Sequence, residues 1–382
     1  MTRWRRIAVT AAVALTAASC SQPPDAPRIA PERMLHAEAA SYDMAVGEKS
    51  RFIVGLFTGD ELFVGYGTVD MSFSFLGEKG ASGEPEPGPQ ATGEFVLVPG
   101  TEPDRIPDVP VAVPASKGRG VYAADVTFDR PGFWEVTVTA DIEERGTLTA
   151  TAAFVVFDAH RVPAPGDRAP KTSNLTAASR DGAPREAVDS RWSEGNELPD
   201  PLLHRTTIAS SIKEGRPVLA VFSTPVFCVS RFCGPVTDMV AELARDYSDR
   251  ADFVHIEIWR DFQDGVINEA AAKWLFRDDD LREPWVFLIG GDGRIKARWD
   301  NVATRAEIEP YLKRLPRKRE PLRLRAAVTS APTLLPLMVL FWASTPPVGS
   351  ARRSSTGPCR TRVHRHPERV GGRRGRITAH PV

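Results

Sequence analysis

FSTPVFCVSRFCGPVTDMV, residues Phe222–Val240, is the stretch on which the fold reading turns. It follows a short apolar run, Pro217–Ser223 (PVLAVFS), of the kind expected for a strand buried on both faces. It leads into Pro235–Tyr247, where Val236, Met239, Val240, Leu243 and Ala244 make a helical stripe. Cys228 and Cys233 therefore sit at a strand-to-helix junction. A thiol there feels the partial positive charge of a helix N-terminus, which favours thiolate over thiol. Thiolate is the nucleophile of disulfide exchange. Pro235 suits a first helical turn, where a missing N–H costs nothing.

Working outward, the order is strand, helix, strand, helix, strand, strand, helix. Asp252–Trp259 (DFVHIEIW) predicts a second strand and Asn268–Phe276 a short helix. Pro284–Gly290 (PWVFLIG) and Arg294–Trp299 predict two strands joined by the turn Gly291-Asp292-Gly293. Arg305–Leu315 predicts a closing helix with Ile308, Tyr311 and Leu312 on one face. Trp259–Asp264 and Phe276–Glu283 are charge-rich and expected as solvated loops.

This pattern resembles the thioredoxin superfamily over roughly Pro163–Pro316. It rests on the element order, the cysteine pair, Cys233-Gly234-Pro235 and Pro284 at the head of PWVFLI. The resemblance implies an α/β thioredoxin-like fold, a redox-active Cys228–Cys233 pair and a cis proline at Pro284 facing it, with Glu283 beside the site. Residues 163–176 resemble the lead-in that precedes extracytoplasmic members. The family separates its cysteines by two residues and four intervene here, so two registers stand open. Cys228 is the exposed nucleophile and Cys233 resolves, or FCGPV aligns with the family's WCGPC and Cys233 takes the first position. The family's buried acid on the preceding strand has no counterpart in PVLAVFS. Copper-carrying relatives add a histidine late in the domain, and His255 is the one histidine between Cys233 and Pro316. Its residue-level reading is a core histidine. The peroxidase signature is missing, because Pro225 stands three residues before Cys228 where a threonine is required. No cofactor and no metal are expected.

Before this domain, residues 42–158 are β-patterned. Candidate strands are Arg51–Phe57, Thr68–Leu76, Glu94–Val98, Gly120–Phe128, Gly132–Ala140 and Leu148–Phe157. Glu78–Thr92 is rich in Gly, Pro and Glu and reads as a long exposed loop. The spacing predicts an all-β sandwich. Residues 120–140 resemble the immunoglobulin-like modules of secreted bacterial proteins. The domain contains neither Cys nor His and reads as a spacer or docking module. Residues 159–201 read as a linker or extended arm, with the second domain at 202–316.

The N-terminus has three Arg in its first six residues, the uncharged run Ile7–Ser19, then Cys20. This is a secretory leader, residues 1–19. Ala17-Ala18-Ser19-Cys20 resembles a bacterial lipobox, apart from Ala17 where Leu is usual. It implies lipidation at Cys20, a tether over residues 20–41 and a place at the extracytoplasmic face of the cell membrane, where disulfides persist.

The chain has 382 residues, 49 basic and 49 acidic, so its formal charge is zero. Residues 317–382 hold 14 basic and 2 acidic residues, leaving 35 basic and 47 acidic in residues 1–316, a balance of −12. An acidic body excludes general nucleic-acid binding. The basic tail reads as disordered, with Ala326–Gly349 a conceivable span and Cys359, His364 and His366 incidental. The expected partners are extracytoplasmic protein thiols and disulfides, with the membrane reached through the lipid anchor; the oligomeric state is not written in the sequence. The expected function is thiol–disulfide exchange, and the alternative is a non-enzymatic surface lipoprotein whose disulfide is structural.

Overall fold

Strand-forming runs of Val, Phe and Thr fill the first half of the protein, and a computed structural model shows how they pair. The model describes residues 30–80, 84–103 and 106–317, all of them in one compact unit that ends at Lys318. The leader, Cys20 and nearly all of the 317–382 tail, with its conceivable span, lie outside the described residues. No helix among the described residues is long and apolar enough to cross a membrane.

The first half contains β1 (Leu35–Ala39), β2 (Met44–Ala45), β3 (Ser50–Thr58), β4 (Phe63–Gly65), β5 (Thr68–Gly77), β6 (Glu86–Leu97), β7 (Val111–Val113), β8 (Gly120–Val126), β9 (Gly132–Ile142) and β10 (Gly146–Phe157). They form one path, β2-β10-β9-β5-β6-β8-β3-β4-β7, with β1 on β3. The hinge of this path is β6. Its residues Glu86–Glu94 pair with β5, and Glu94–Leu97 pair with β8. One strand thus serves both stretches of the sheet path. The β-rich half is built on a single core that includes Phe52, Phe73, Tyr122, Phe128 and Trp134. Gly93 lies next to the change of partner, where a Cβ would come within 3.3 Å of Tyr122 and 3.2 Å of Val69.

The loop expected over Glu78–Thr92 is corrected here, since β6 already starts at Glu86. Pro87 and Pro89 hid it. Before Glu94 this strand is paired on one side only, and an edge tolerates residues that cannot donate.

The second half contains α1 (Ile208–Lys213), β11 (Val218–Ser223), α2 (Cys233–Tyr247), β12 (Asp252–Glu257), β13 (Trp259–Asp261), β14 (Val266–Ile267), α3 (Glu269–Leu275), β15 (Trp285–Ile289), β16 (Ile295–Asp300) and α4 (Arg305–Arg314). A four-stranded sheet runs β12-β11-β15-β16; β11 and β12 are parallel and the other pairs antiparallel. On one face, Leu219 and Val221 meet Val236 and Val240 of α2 and Ile308 and Leu312 of α4. On the other, Val218, Ala220 and Phe222 meet Ile208 of α1 and Ala271 and Trp274 of α3. Covering both faces is why β11 is buried at every position and apolar from Val218 to Phe222. The solvated loop expected over Trp259–Asp264 instead contributes β13, paired with β14.

The two halves are not beads on a linker. Ile53, Val98 and Val121 of the β-rich half bury with Val302, and Phe232 packs against them. Arg51 donates to the Val302 carbonyl (2.9 Å) and pairs with Glu307 (2.8 Å). Arg298 pairs with Asp43 at 2.7 Å. The arm expected over residues 159–201 is likewise packed down: Ala187, Val188 and Asp189 are buried. Its polar composition reflects many exposed charged residues, such as Asp167, Lys171 and Glu194, around this buried stretch.

Candidate functional site

The site begins where β11 stops. Pro225 cannot continue the ladder, and the chain loops over residues 224–232 before α2 starts at Cys233. Arg231 adopts a left-handed backbone (φ 61°) that turns the loop back toward the helix. This brings Cys228 to Cys233, with Cα atoms 6.0 Å apart and the sulfurs joined in a disulfide. Pro235 is the third residue of α2, where no helical partner for an N–H exists.

Two properties that the sequence places on one thiol fall on different residues. Cys233 is the first residue of the helix and is fully buried. Cys228 is half-buried. Yet the helix terminus acts on Cys228 as well, because the Cys233 N–H donates to Cys228 Sγ at 3.4 Å. The Ser230 hydroxyl lies 3.3 Å from the same sulfur. Both contacts favour negative charge on Cys228 once the bond opens. The rim around it is apolar: Val226 and Val229 are 55% and 82% exposed, and Phe227 stacks on Phe262 at 4.0 Å.

Pro284 heads β15, and the Glu283–Pro284 peptide is cis. A carboxylate oxygen of Glu283 and the two sulfurs all lie within 4.8 Å of one another. The Tyr42 hydroxyl donates to the Glu283 carbonyl at 3.0 Å, so the β-rich half holds this loop. Burial, then the negative charges of Glu257 and Asp280, push the Glu283 carboxyl up to about 7. Reading Phe276–Glu283 as wholly solvated is corrected at its last residue. Adjacency to Pro284 was the signal for Glu283; its acidity came only from the packing.

Below the disulfide loop lies a second polar layer. Glu257 ends β12 and is buried. Its carboxylate accepts from the N–H groups of Ser190 (2.8 Å) and Ile258 (2.9 Å), while burial raises its pKa. Asp189 is fully buried and accepts from Arg191 through both oxygens, Nε at 3.0 Å and Nη2 at 2.8 Å. The same carboxylate lies 3.3 Å from His204 Nε2 and 3.4 Å from His255 Nδ1. Burial works against its charge, but His204, His255 and Arg191 together hold Asp189 far below the carboxylate range. Burial also opposes the charge on His255, yet the contact with Asp189 outweighs it and raises that imidazole. On His204 burial prevails and lowers it. His255 is thus a core histidine with a charged partner. Asp189 and His204 carried no sequence signal, since the histidine contacts that mark them join residues well separated in the chain.

Two groups among the described residues bring metal-ligating atoms together: Asp189 with His204 and His255, and the cysteine pair with Glu283. In the first, Arg191 already occupies both carboxylate oxygens with positive charge. In the second, the two sulfurs are joined in a disulfide beside the Glu283 carboxylate.

Comparison with protein-family models, with curated proteins and with solved structures finds no match for the chain.

Proposed function

We propose that this chain is an exported thioredoxin-like protein that exchanges disulfides with extracytoplasmic protein partners through Cys228 and Cys233. It is held at the membrane by lipid on Cys20, and its β-rich half is an immunoglobulin-like sandwich. The observation that carries the reading is the Cys228–Cys233 disulfide at the β11–α2 junction, with Cys228 Sγ receiving the Cys233 N–H and the Ser230 hydroxyl. The strand order β12-β11-β15-β16 with helices on both faces supports the fold assignment, as does Pro284 opening the strand next to β11.

In this reading Cys228 is the sulfur that partners meet and Cys233 is the one that resolves. The reduced protein attacks a partner disulfide with the Cys228 thiolate, giving a mixed disulfide and a free partner thiol. Cys233 then attacks Cys228 Sγ, re-forms the internal bond and releases the second partner thiol. The exposed Val226, Val229 and Phe262 offer a sequence-tolerant apolar contact for a polypeptide.

The alternative, a binding module with a structural disulfide, draws on the complete burial of Cys233. Trapping separates the two. The Cys233→Ser chain, mixed with a disulfide-containing test protein, is expected to accumulate a mixed disulfide through Cys228 on non-reducing gels. The Cys228→Ser chain is expected not to. No adduct with either variant would leave the structural reading standing.

A further inference from the structure

The strand that should carry a buried acid in a thioredoxin-like domain, β11, has none. A disulfide whose inner sulfur is fully buried still needs a proton partner there. When the bond opens, that sulfur leaves as an anion with no water beside it, and burying an unpaired charge is costly. The carboxyl of Glu283, which shares a 4.8 Å cluster with both sulfurs, is the titratable side chain placed to meet that need. It reaches the site from the loop before β15, and the Tyr42 hydroxyl anchors its backbone.

We propose that Glu283 is the proton carrier of the Cys228–Cys233 couple, protonating the Cys233 sulfur as the bond opens and taking the proton back as it closes. This rests on the exchange reading above. In the reductive direction a partner thiolate attacks Cys228 Sγ, and the electron pair of the S–S bond leaves on Cys233 Sγ. That sulfur takes the Glu283 proton and becomes a thiol. The partner's second thiolate then attacks the partner sulfur in the mixed disulfide. The partner's own disulfide forms, and Cys228 is released as a thiolate under the Cys233 N–H. Two electrons pass from the partner dithiol to the protein, and the Glu283 carboxylate recovers a proton from solvent. The reverse sequence balances in the same way.

The surroundings suit the task. Glu257 of β12 and Asp280 of the preceding turn add negative charge, so Glu283 keeps its proton to near neutrality. Arg282, its neighbour, lies over the Tyr42 ring, 5.8 Å from its centre. Tyr42 itself is pushed well above its ordinary range by burial and by the nearby Asp300 and Glu283, so it remains a neutral donor. A proton donor works best when its acidity constant lies near the working pH.

The test follows reduction of the full chain by dithiothreitol from pH 5.5 to 8.5, with each rate divided by the reagent's thiolate fraction. In the unaltered protein this corrected rate is expected to fall as pH rises through about 7, as Glu283 loses its proton. Glu283→Gln is expected to be roughly 100-fold slower or more at pH 6 and to show no such fall. Glu283→Asp is expected to keep a fall, with its midpoint moved. Circular dichroism checks that each variant is folded. A Glu283→Gln profile parallel to the unaltered one, whether equal or uniformly lowered, overturns the proposal while leaving exchange intact. A disulfide in the unaltered protein that dithiothreitol does not open overturns the exchange reading, and this role with it.

Discussion

The Glu283 carboxyl is pushed up to about 7 by burial and by Glu257 and Asp280. In the unfolded chain it titrates near 4.3. An acid raised by folding stabilises the fold while protonated, below its unfolded value, and that contribution is lost as pH rises through the folded value. The oxidised protein is therefore expected to lose stability between about pH 4.3 and 7 from this group, and Glu283→Gln to remove that part of the loss. Urea unfolding at pH 5 and pH 8 checks it; an unchanged difference between the two pH values contradicts the assignment. Asp189 has the opposite sign, since its folded pKa is depressed. Its contribution is present above the unfolded value near 3.9 and fades as pH falls toward the folded one. Asp189→Asn leaves Arg191 without its main buried counter-charge and is expected to cost about 3–5 kcal/mol, read as a shift in the urea midpoint. Asp189 could not be found from local pattern, whereas Glu283 was marked by its place next to Pro284. Cys228, Cys233 and Pro284 stand out because their chemistry is written in residue type and spacing, whereas Asp189 gains meaning only from His204, His255 and Arg191 brought around it by the fold.

Among the elements, those with two buried faces or a clean stripe were legible. β11 reads as a strand because every residue from Val218 to Ser223 is buried, and α2 reads as a helix because Val236, Val240 and Leu243 point to one core. Short strands such as β4 and β7, three residues each, carry too few positions for a period. Half of β6 was hidden by prolines that its edge position permits. α4 shows how an element ties the halves together. Its N-cap Thr304 and Glu307 form a reciprocal capping box, and Glu307 also pairs with Arg51 of β3. Thr304→Ala is expected to cost about 1 kcal/mol by denaturant titration. An effect within error would mean that the Arg51 pairing, not the cap, holds this end.

Across the whole molecule, the β-rich half and the disulfide-bearing half share a core. Ile53 is fully buried against Val302, and Phe232 of the same cluster directly precedes Cys233. The β-rich half is thus wall and support for the site rather than a spacer, and Tyr42 reaches the Glu283 loop from it. Residues 42–317 are expected to unfold as one cooperative unit by calorimetry, and Ile53→Ala to lower that single transition by about 2–5 kcal/mol. Two separated transitions, with only the earlier one moved by the variant, would contradict a shared core. What the molecule does with this architecture comes down to whether the bond between Cys228 and Cys233 turns over. The most direct measurement equilibrates the full chain in graded glutathione buffers and counts free thiols at each poise. The account predicts a reversible two-electron transition within the range that extracytoplasmic thiol buffers span. A pair that remains bonded down to below about −300 mV, the range of structural disulfides, would contradict it.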